Sequence, residues 1–399
     1  MNNPNIKLKQ HNNLPTKKQV NTVGHWIMLS PSSVQMKKLP YAEILMKRRG
    51  QLACKDTDTE AMEVDLANAL SSHVVYACIE ENIAPFDLLT LARKMIAAQG
   101  KQKAERLGIV LCGFEHKRAE LVAEAIIAAA CAMAAEMPNY KSDRPSSPVL
   151  RRLELYGIKV GHGFKRTMAE AEGNALARFL SMLPPNELTP GNYVRRIRKL
   201  ARENKWKLTF YDIKALHKKK AGAFLAVVQG STEKDAGIVR LQYTPNSPGP
   251  KGKIALVGKG ICYDTGGTNL KPAKFMYGMH EDMQGSAVAL GTFLALTRMQ
   301  VNFPIECWLA VAVNHIGPKA YKPNDVIKAS DGTSIEIVHT DAEGRMVLAD
   351  TLAMASLQKP KLIIDYATLT GACVYSIGTA YSGVFTNREK FHPTLIQAG

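Results

Sequence analysis

Short apolar runs alternate with longer helical stretches along most of this chain. VVYACI (74–79) and GIVLCGF (108–114) have strand length, and the Ala-rich AELVAEAIIAAACAMAAEM (119–137) reads as a buried helix. Together they predict a small α/β domain over residues 25–137. PNYKSDRPSSP (138–148) concentrates Pro, Ser and charge, and opens a linker expected to reach residue 168. From 169 to 399 the alternation resumes on a larger scale. A helix is expected over Ala169–Leu183, ended by Pro184 and Pro185. Thr189 and Pro190 supply an N-cap and a first-turn proline for YVRRIRKLAREN. KIALVG, IECWLAVAV, IEIVH and KLIIDYA read as strands apolar on both faces, as a parallel sheet requires. SAVALGTFLALTRM and RMVLADTLAMASL read as the helices covering them. The predicted fold class is α/β: a mixed, largely parallel sheet flanked by helices, preceded by the smaller α/β domain. HPTLIQAG opens a helix with no strand after it, so the C-terminal part of the larger domain is expected to be missing.

With 399 residues, 46% of them hydrophobic, the chain has material for two or three domains. The opening MNNPNIKLKQHNN lacks an apolar h-region, and residues 1–24 read as a flexible basic tail. The most apolar run, Ala125–Ala135, lies between Glu124 and Glu136 and is too short to cross a bilayer. The seven cysteines form no CxxC pair, and Cys78, Cys112, Cys131, Cys307 and Cys373 sit in apolar runs. A reduced, cytoplasmic setting is expected. The net charge of +17 gathers in the N-terminal arm, in Arg195, Arg196, Arg198, Lys199 and Arg202, and in Lys218–Lys220. Such clusters attract nucleic acid, but no zinc-finger or RNA-recognition signature accompanies them, and a solvated basic surface is the simpler reading.

Charge of a different kind lies between Lys259 and Arg345. VGKGICYDTGGTNLKP, MHEDMQG and HTDAEGRMVLADTL place Lys259, Asp264, Lys271, Asp282, Asp341, Glu343 and Arg345 beside strand ends and helix starts. Ligands of open α/β sheets gather at the carboxyl ends of strands. Buried carboxylates must pair or coordinate metal. Four carboxylates balance two divalent cations, and oxygen-rich ligation suits Mn²⁺, Zn²⁺ or Mg²⁺ alike. A shared Asp264 or Glu343 would bridge the two ions, as two-metal hydrolysis needs. Desolvation beside cations favours a neutral Lys259 amine able to ligate, whereas a protonated Lys271 would stabilise an oxyanion. Arg345, opening a helix, would hold a small anion.

Each signal is weak singly. GKGICYDTGG lacks the spacing of a phosphate loop, Gln284 stands where a zincin helix needs its second His, and no GxSxG elbow occurs. A two-metal phosphoesterase fits the carboxylates but leaves Lys259 without a role.

The combined motifs VGKGICYDTGGTNLKP, MHEDMQG, HTDAEGRMVLADTL and IDYATLTGA resemble the leucine aminopeptidase family of cytosolic dinuclear metallo-exopeptidases. Weaker similarity runs back through LPPNELTPGNY and AGAFLAVVQGS. The resemblance implies that Lys259, Asp264, Asp282 and Glu343 hold one metal, and Asp264, Asp341 and Glu343 the other. It implies that Lys271 polarises the scissile carbonyl and that Arg345 binds bicarbonate as a proton shuttle. Met279 would line the pocket for the first side chain, and Thr368, Leu369 and Gly371 would grip the substrate backbone. It further implies peptide substrates with a free N-terminus, often apolar there, and a homohexamer. His339 stands where the family usually has Asn, and Cys262-Tyr263 where a small or hydroxyl residue and Phe are usual. The expected function is therefore a metal-dependent aminopeptidase. The rival reading is a catalytically impaired member of that family acting in nucleic-acid binding or scaffolding.

Overall fold

The computed structural model describes residues 6–54, 60–100, 104–142, 150–247, 249 and 252–399. The first sheet contains β1 (Lys7–His11), β2 (His25–Ser30), β3 (Met62–Asp65), β4 (His73–Cys78), β5 (Arg106–Leu111) and β6 (Arg152–Tyr156), in the order β1-β6-β5-β2-β4-β3. All neighbours are parallel except β3, which runs antiparallel to β4. Helices α1 (Pro85–Gly100) and α2 (His116–Ala134) cover one face, where Ile27, Leu29, Ile109, Ile126 and Ile127 are fully or almost fully buried. Trp26, Met28 and Tyr76 alternate onto the other face.

Two expectations about this half change. The stretch read as a flexible basic tail contributes β1, paired residue for residue with β6 from Lys7↔Arg152 to His11↔Tyr156. Thr16 then caps the short helix Lys17–Val20. The backbone of KLKQH finds its hydrogen-bond partners in the sheet while its lysines stay solvated, so basic composition did not preclude a strand. The stretch read as a linker to residue 168 holds β6 and the first turn of the next helix; its residues 143–149 lie outside those described.

The second sheet is built from β7 (Lys207–Asp212), β8 (Gly237–Tyr243), β9 (Ile254–Asp264), β10 (Ile305–Asn314) and β13 (Leu362–Tyr366), in the order β13-β9-β10-β8-β7. β13, β9 and β10 are parallel; β8 and β7 add antiparallel pairings. Helices α3 (Lys165–Ser181), α4 (Pro190–Glu203) and α6 (Gln284–Arg298) cover one face; α5 (Gly222–Val228) and α7 (Glu343–Ser356) cover the other. Strand alternation divides β10 between them: Cys307, Leu309 and Val311 face the first layer, while Trp308, Ala310 and Ala312 face the second. Thr189 caps α4 as expected, its hydroxyl accepting from the Asn192 amide at 3.3 Å, with Pro190 in the first turn.

IEIVH is not a strand of this sheet. Only Ser334–Glu336 is extended, as β12, and it pairs antiparallel with β11 (Val326–Lys328) in a half-exposed hairpin. Its three extended residues alternate between exposed and half-buried, a pattern suited to a hairpin with one face in water. Among the described residues, no helix is long and apolar enough to cross a membrane.

Candidate metal centre

β9 continues beyond KIALVG to Asp264, so Lys259 lies within the strand and not at its end. Lys259 pairs with Ala310, and Ile261 with Ala312. Asp264 then pairs with Asn314, three steps on β9 opposing two on β10. This bulge adds one residue and restores the phase, so Lys259 and Asp264 point to the same face despite their odd spacing. The turn after β9 is closed by the Gly266 amide, which donates to Asp264 Oδ1 at 2.8 Å. At φ +87° Gly266 takes a conformation that side chains disfavour. That turn brings Lys271 back over the strand end.

The remaining acids arrive at helix starts. Asp282 follows a single 3₁₀ turn, Met279–Glu281, just before α6. Asp341 lies inside the turn Thr340–Ala342, and Glu343 is the first residue of α7, where the helix dipole favours an anion. Thr340 anchors this turn: its hydroxyl donates to the Gly266 carbonyl at 2.6 Å and accepts from the Asn269 amide at 2.8 Å. Its carbonyl accepts from Tyr321 at 2.6 Å and from Asn314 Nδ2 at 3.1 Å. The same Asn314 amide donates to Asp264 Oδ1 at 2.8 Å, tying the end of β9 to the turn that carries Asp341.

Two ion-pair groups result. Lys259 Nζ lies 2.7 Å from Asp282 Oδ1, 3.0 Å from Glu343 Oε1 and 2.7 Å from the Thr368 carbonyl. Lys271 Nζ lies 3.0 Å from Asp264 Oδ2 and 2.5 Å from Asp341 Oδ1. One oxygen from each of Asp264, Asp341 and Glu343 falls within 4.8 Å of the others, a grouping of a size that holds a metal ion. Lys259, Asp264 and Glu343 are each only 2% exposed, too buried to be screened by solvent.

Four carboxylates against two ammonium groups leave the cluster with excess negative charge. Burial pushes Asp282 up to about 7; Glu343 and Asp264 add to the rise, and Lys259 opposes it. Burial likewise raises Asp341 and Glu343, with Asp264 adding to each. Burial works against the Lys259 ammonium, but Glu343 and Asp282 outweigh it and hold the proton on. The neutral amine expected from desolvation thus requires that proton to leave. Lys271 is raised in the same way, its burial outweighed by Asp341 and Asp264. Asp282 Oδ2 and Glu343 Oε2 are buried without a hydrogen-bond partner among the described residues. Orphaned anionic oxygens beside an excess of negative charge are what divalent cations relieve, so this donor set fits them.

The other expected site residues are less uniform in position. Met279 is half-buried in the turn before Asp282. Arg345 is exposed in the first turn of α7. Leu369 and Gly371 are exposed beyond β13. Thr368 does more than present backbone: its hydroxyl donates to Asp282 Oδ1 at 2.8 Å while its carbonyl accepts from Lys259. Asn314, Tyr321 and Thr340 were not anticipated, although Asn314 is the lone amide ending the apolar run IECWLAVAVN. Gly344 was also missed: a Cβ there would meet Lys259 Cε at 2.6 Å and Nζ at 2.9 Å.

A model of the cytosol aminopeptidase family, catalytic domain, matches residues 175–399. The chain belongs to this family. Its relatives include probable cytosol aminopeptidases of Polaromonas sp. (strain JS666) and Stutzerimonas stutzeri. The first is 34% identical over 359 residues, covering 87% of this chain and 69% of the relative. The second is 41% identical over 267 residues, covering 65% of this chain and 53% of the relative. A probable cytosol aminopeptidase of Wolinella succinogenes is 41% identical over 232 residues, 47% of its length. The chain thus spans about half to two-thirds of the length of these family members. A lysine-to-glutamate mutant of tomato leucine aminopeptidase superposes with a TM-score of 0.85, covering 100% of this chain and 80% of that one. At 23% identity that likeness speaks for the fold, including the mixed, largely parallel sheet.

Proposed function

We propose that this chain is a metal-dependent aminopeptidase that releases N-terminal residues, often apolar ones, from peptides. The observation that carries the reading is the convergence of Lys259, Asp264, Asp282, Asp341 and Glu343 on one buried cluster with unpartnered carboxylate oxygens. Lys259, Asp264, Asp282 and Glu343 would hold one divalent cation, and Asp264, Asp341 and Glu343 the second; Mn²⁺, Zn²⁺ and Mg²⁺ all suit such donors. Two cations held there would supply Lewis acidity for the scissile carbonyl and the attacking water.

The protein's own groups would do the rest. Lys271, kept protonated by its acidic neighbours, would donate to the oxygen on which negative charge develops. Arg345, in the first turn of α7, would hold bicarbonate where its guanidinium and the helix N-terminus both favour an anion, placing a proton acceptor at the mouth of the site. Met279 would border the first side chain, and Thr368, Leu369 and Gly371 would receive the peptide backbone at the exposed end of β13. A free α-amine is the substrate group that distinguishes an aminopeptidase from an endopeptidase. Residues 169–399 would form the catalytic domain and 25–137 the smaller one. The family name supports a cytosolic location, and the resemblance supports a homohexamer.

All five ligands and Lys271 are present, which favours a working enzyme over a family member that keeps the fold without the reaction. The test is release of free amino acid from a leucine-initiated peptide by the purified chain with Mn²⁺ or Zn²⁺, beside the same peptide N-acetylated. Release from the free peptide alone is expected. No release, or equal cleavage of both, overturns the proposal.

A further inference from the structure

Residues 190–220 hold eleven Lys and Arg against two acids, Glu203 and Asp212, and so carry more than half of the chain's net charge. In the fold they flank the outer strand β7 on its two sides: α4 packs on the sheet face that Phe210 meets, and the short helix Ile213–Lys218 on the face that Tyr211 meets. The arrangement on α4 is one-sided. Tyr193, Val194, Ile197 and Ala201 are buried in the core, while Arg195, Arg198, Lys199 and Arg202 are exposed. Those four cations follow i, i+3, i+4, i+7 spacing and therefore share one helical face.

Little on the protein neutralises them. Among the described residues the carboxylate partners on this helix give Arg196–Glu187 at 3.9 Å and Lys199–Glu203 at 3.8 Å, both loose and near the surface. Instead the cations rest on rings: Arg198 lies 5.4 Å from the centroid of Phe210, and Lys219 lies 5.3 Å from that of Tyr211. These stacked arrangements fix the positive groups at the surface without cancelling their charge. β7 runs parallel to β9 and β10, at the edge of the sheet opposite β13, so the basic surface is separate from the acidic cluster.

We propose that the exposed face of α4 binds nucleic acid through its phosphate backbone. From Arg195 to Arg202 the stripe covers about 10 Å of helix, a length along which a duplex presents about six phosphate charges. Arginine provides most of the stripe, and its planar fork suits phosphate oxygens. An anionic membrane is disfavoured because the surface offers nothing to insert. Among the described residues no large apolar side chain between Met182 and Leu270 is strongly exposed, whereas membrane-surface helices keep an apolar face for the lipid. The binding would be independent of sequence, since no base-reading element accompanies the charge.

The test is fluorescence anisotropy of a labelled 20-base-pair duplex with the full chain across a salt series. A slope of log affinity against log salt of about −4 is expected, from about four to five neutralised phosphates. The triple variant Arg195→Gln, Arg198→Gln, Arg202→Gln should bind at least about tenfold more weakly in low salt. Its slope should be shallower by about one for each phosphate no longer neutralised. Lys218→Gln, Lys219→Gln, Lys220→Gln, on the other side of the sheet, should cost less affinity than the α4 variant does. Absence of binding, binding unchanged in the α4 variant, or an equal loss in the Lys218–Lys220 variant overturns the proposal. So does an equal loss in the control Lys9→Gln, Lys37→Gln, Lys38→Gln, or preferential binding to phosphatidylserine vesicles.

Discussion

Lys259 and Asp264 stand five residues apart on one strand, and a one-residue bulge turns both toward Glu343. In a regular strand an odd spacing would send them to opposite faces, one into each helical layer. The bulge instead puts an amine and a carboxylate in the same acidic cluster. β-Bulges commonly re-aim side chains beside active sites in this way. The two ion-pair groups of the site share this strand as their base.

Lys271 is the group whose loss should affect turnover more than metal content. Its ammonium lies against Asp264 and Asp341, but the carboxylates are also held by Asn314 and by the Thr340 turn. Lys271→Ala is expected to lower kcat by about 10²- to 10³-fold, the usual cost of one oxyanion donor. Elemental analysis should still find metal. A normal kcat would remove Lys271 from the mechanism.

Asn314 touches no proposed substrate position yet holds Asp264 and the Thr340 carbonyl with one amide nitrogen. Loss of such an outer partner costs about 10- to 100-fold in metal affinity. Asn314→Ala should therefore need correspondingly more Mn²⁺ for half-maximal activity, with kcat at saturating metal little changed. An unaltered metal requirement would make the amide merely structural.

Gly344 tests how tightly Lys259 is confined. An added methyl would stand 2.6 Å from Lys259 Cε, and that side chain is fixed by Asp282, Glu343 and Thr368. Forcing a methyl into packed surroundings costs about 1–3 kcal/mol. Gly344→Ala should lower both the melting temperature and the metal affinity. Wild-type values for both would show that Lys259 has room to move.

Asp282 gives a pH signature in chelator-treated protein. Its folded pKa of about 7 lies above the ordinary 3.8, so between these values the native state keeps a proton that the unfolded state has lost. The contribution of this group is thus fully present below about 3.8 and is lost as pH rises through about 7. Urea denaturation of wild type and Asp282→Asn should show the variant gaining in relative stability across that window, then levelling off. A constant difference would mean that Asp282 ionises normally. Added metal should abolish the wild-type slope by supplying the positive charge that the proton otherwise provides.

The sheet strands around the acidic cluster were legible because their runs are apolar on both faces, and the helices because their lengths are ordinary and, in α4, Thr189 and Pro190 mark the start. IEIVH failed as a core strand because its apolar run is as short as a hairpin arm, and composition cannot tell which partner a short extended segment finds. KLKQH failed as a tail for the converse reason. A strand can satisfy its backbone in a sheet while its side chains remain charged. Thr368 was expected through its backbone alone, since nothing local shows that its hydroxyl reaches a carboxylate 86 residues earlier.

By itself the sequence determined which chemistry this protein has available. The acids, lysines and glycines occur in specific short motifs, and the apolar runs between them prescribe an α/β layering. Only the tertiary structure decided which of those groups share a point in space. That depends on a bulge, a left-handed turn and the hydrogen bonds of Thr340 and Asn314, and the bulge and those hydrogen bonds rest on partners far apart in the chain. Charge composition, likewise, gave a total, whereas packing decided that α4 would bury its apolar side and turn its arginines into one outward stripe.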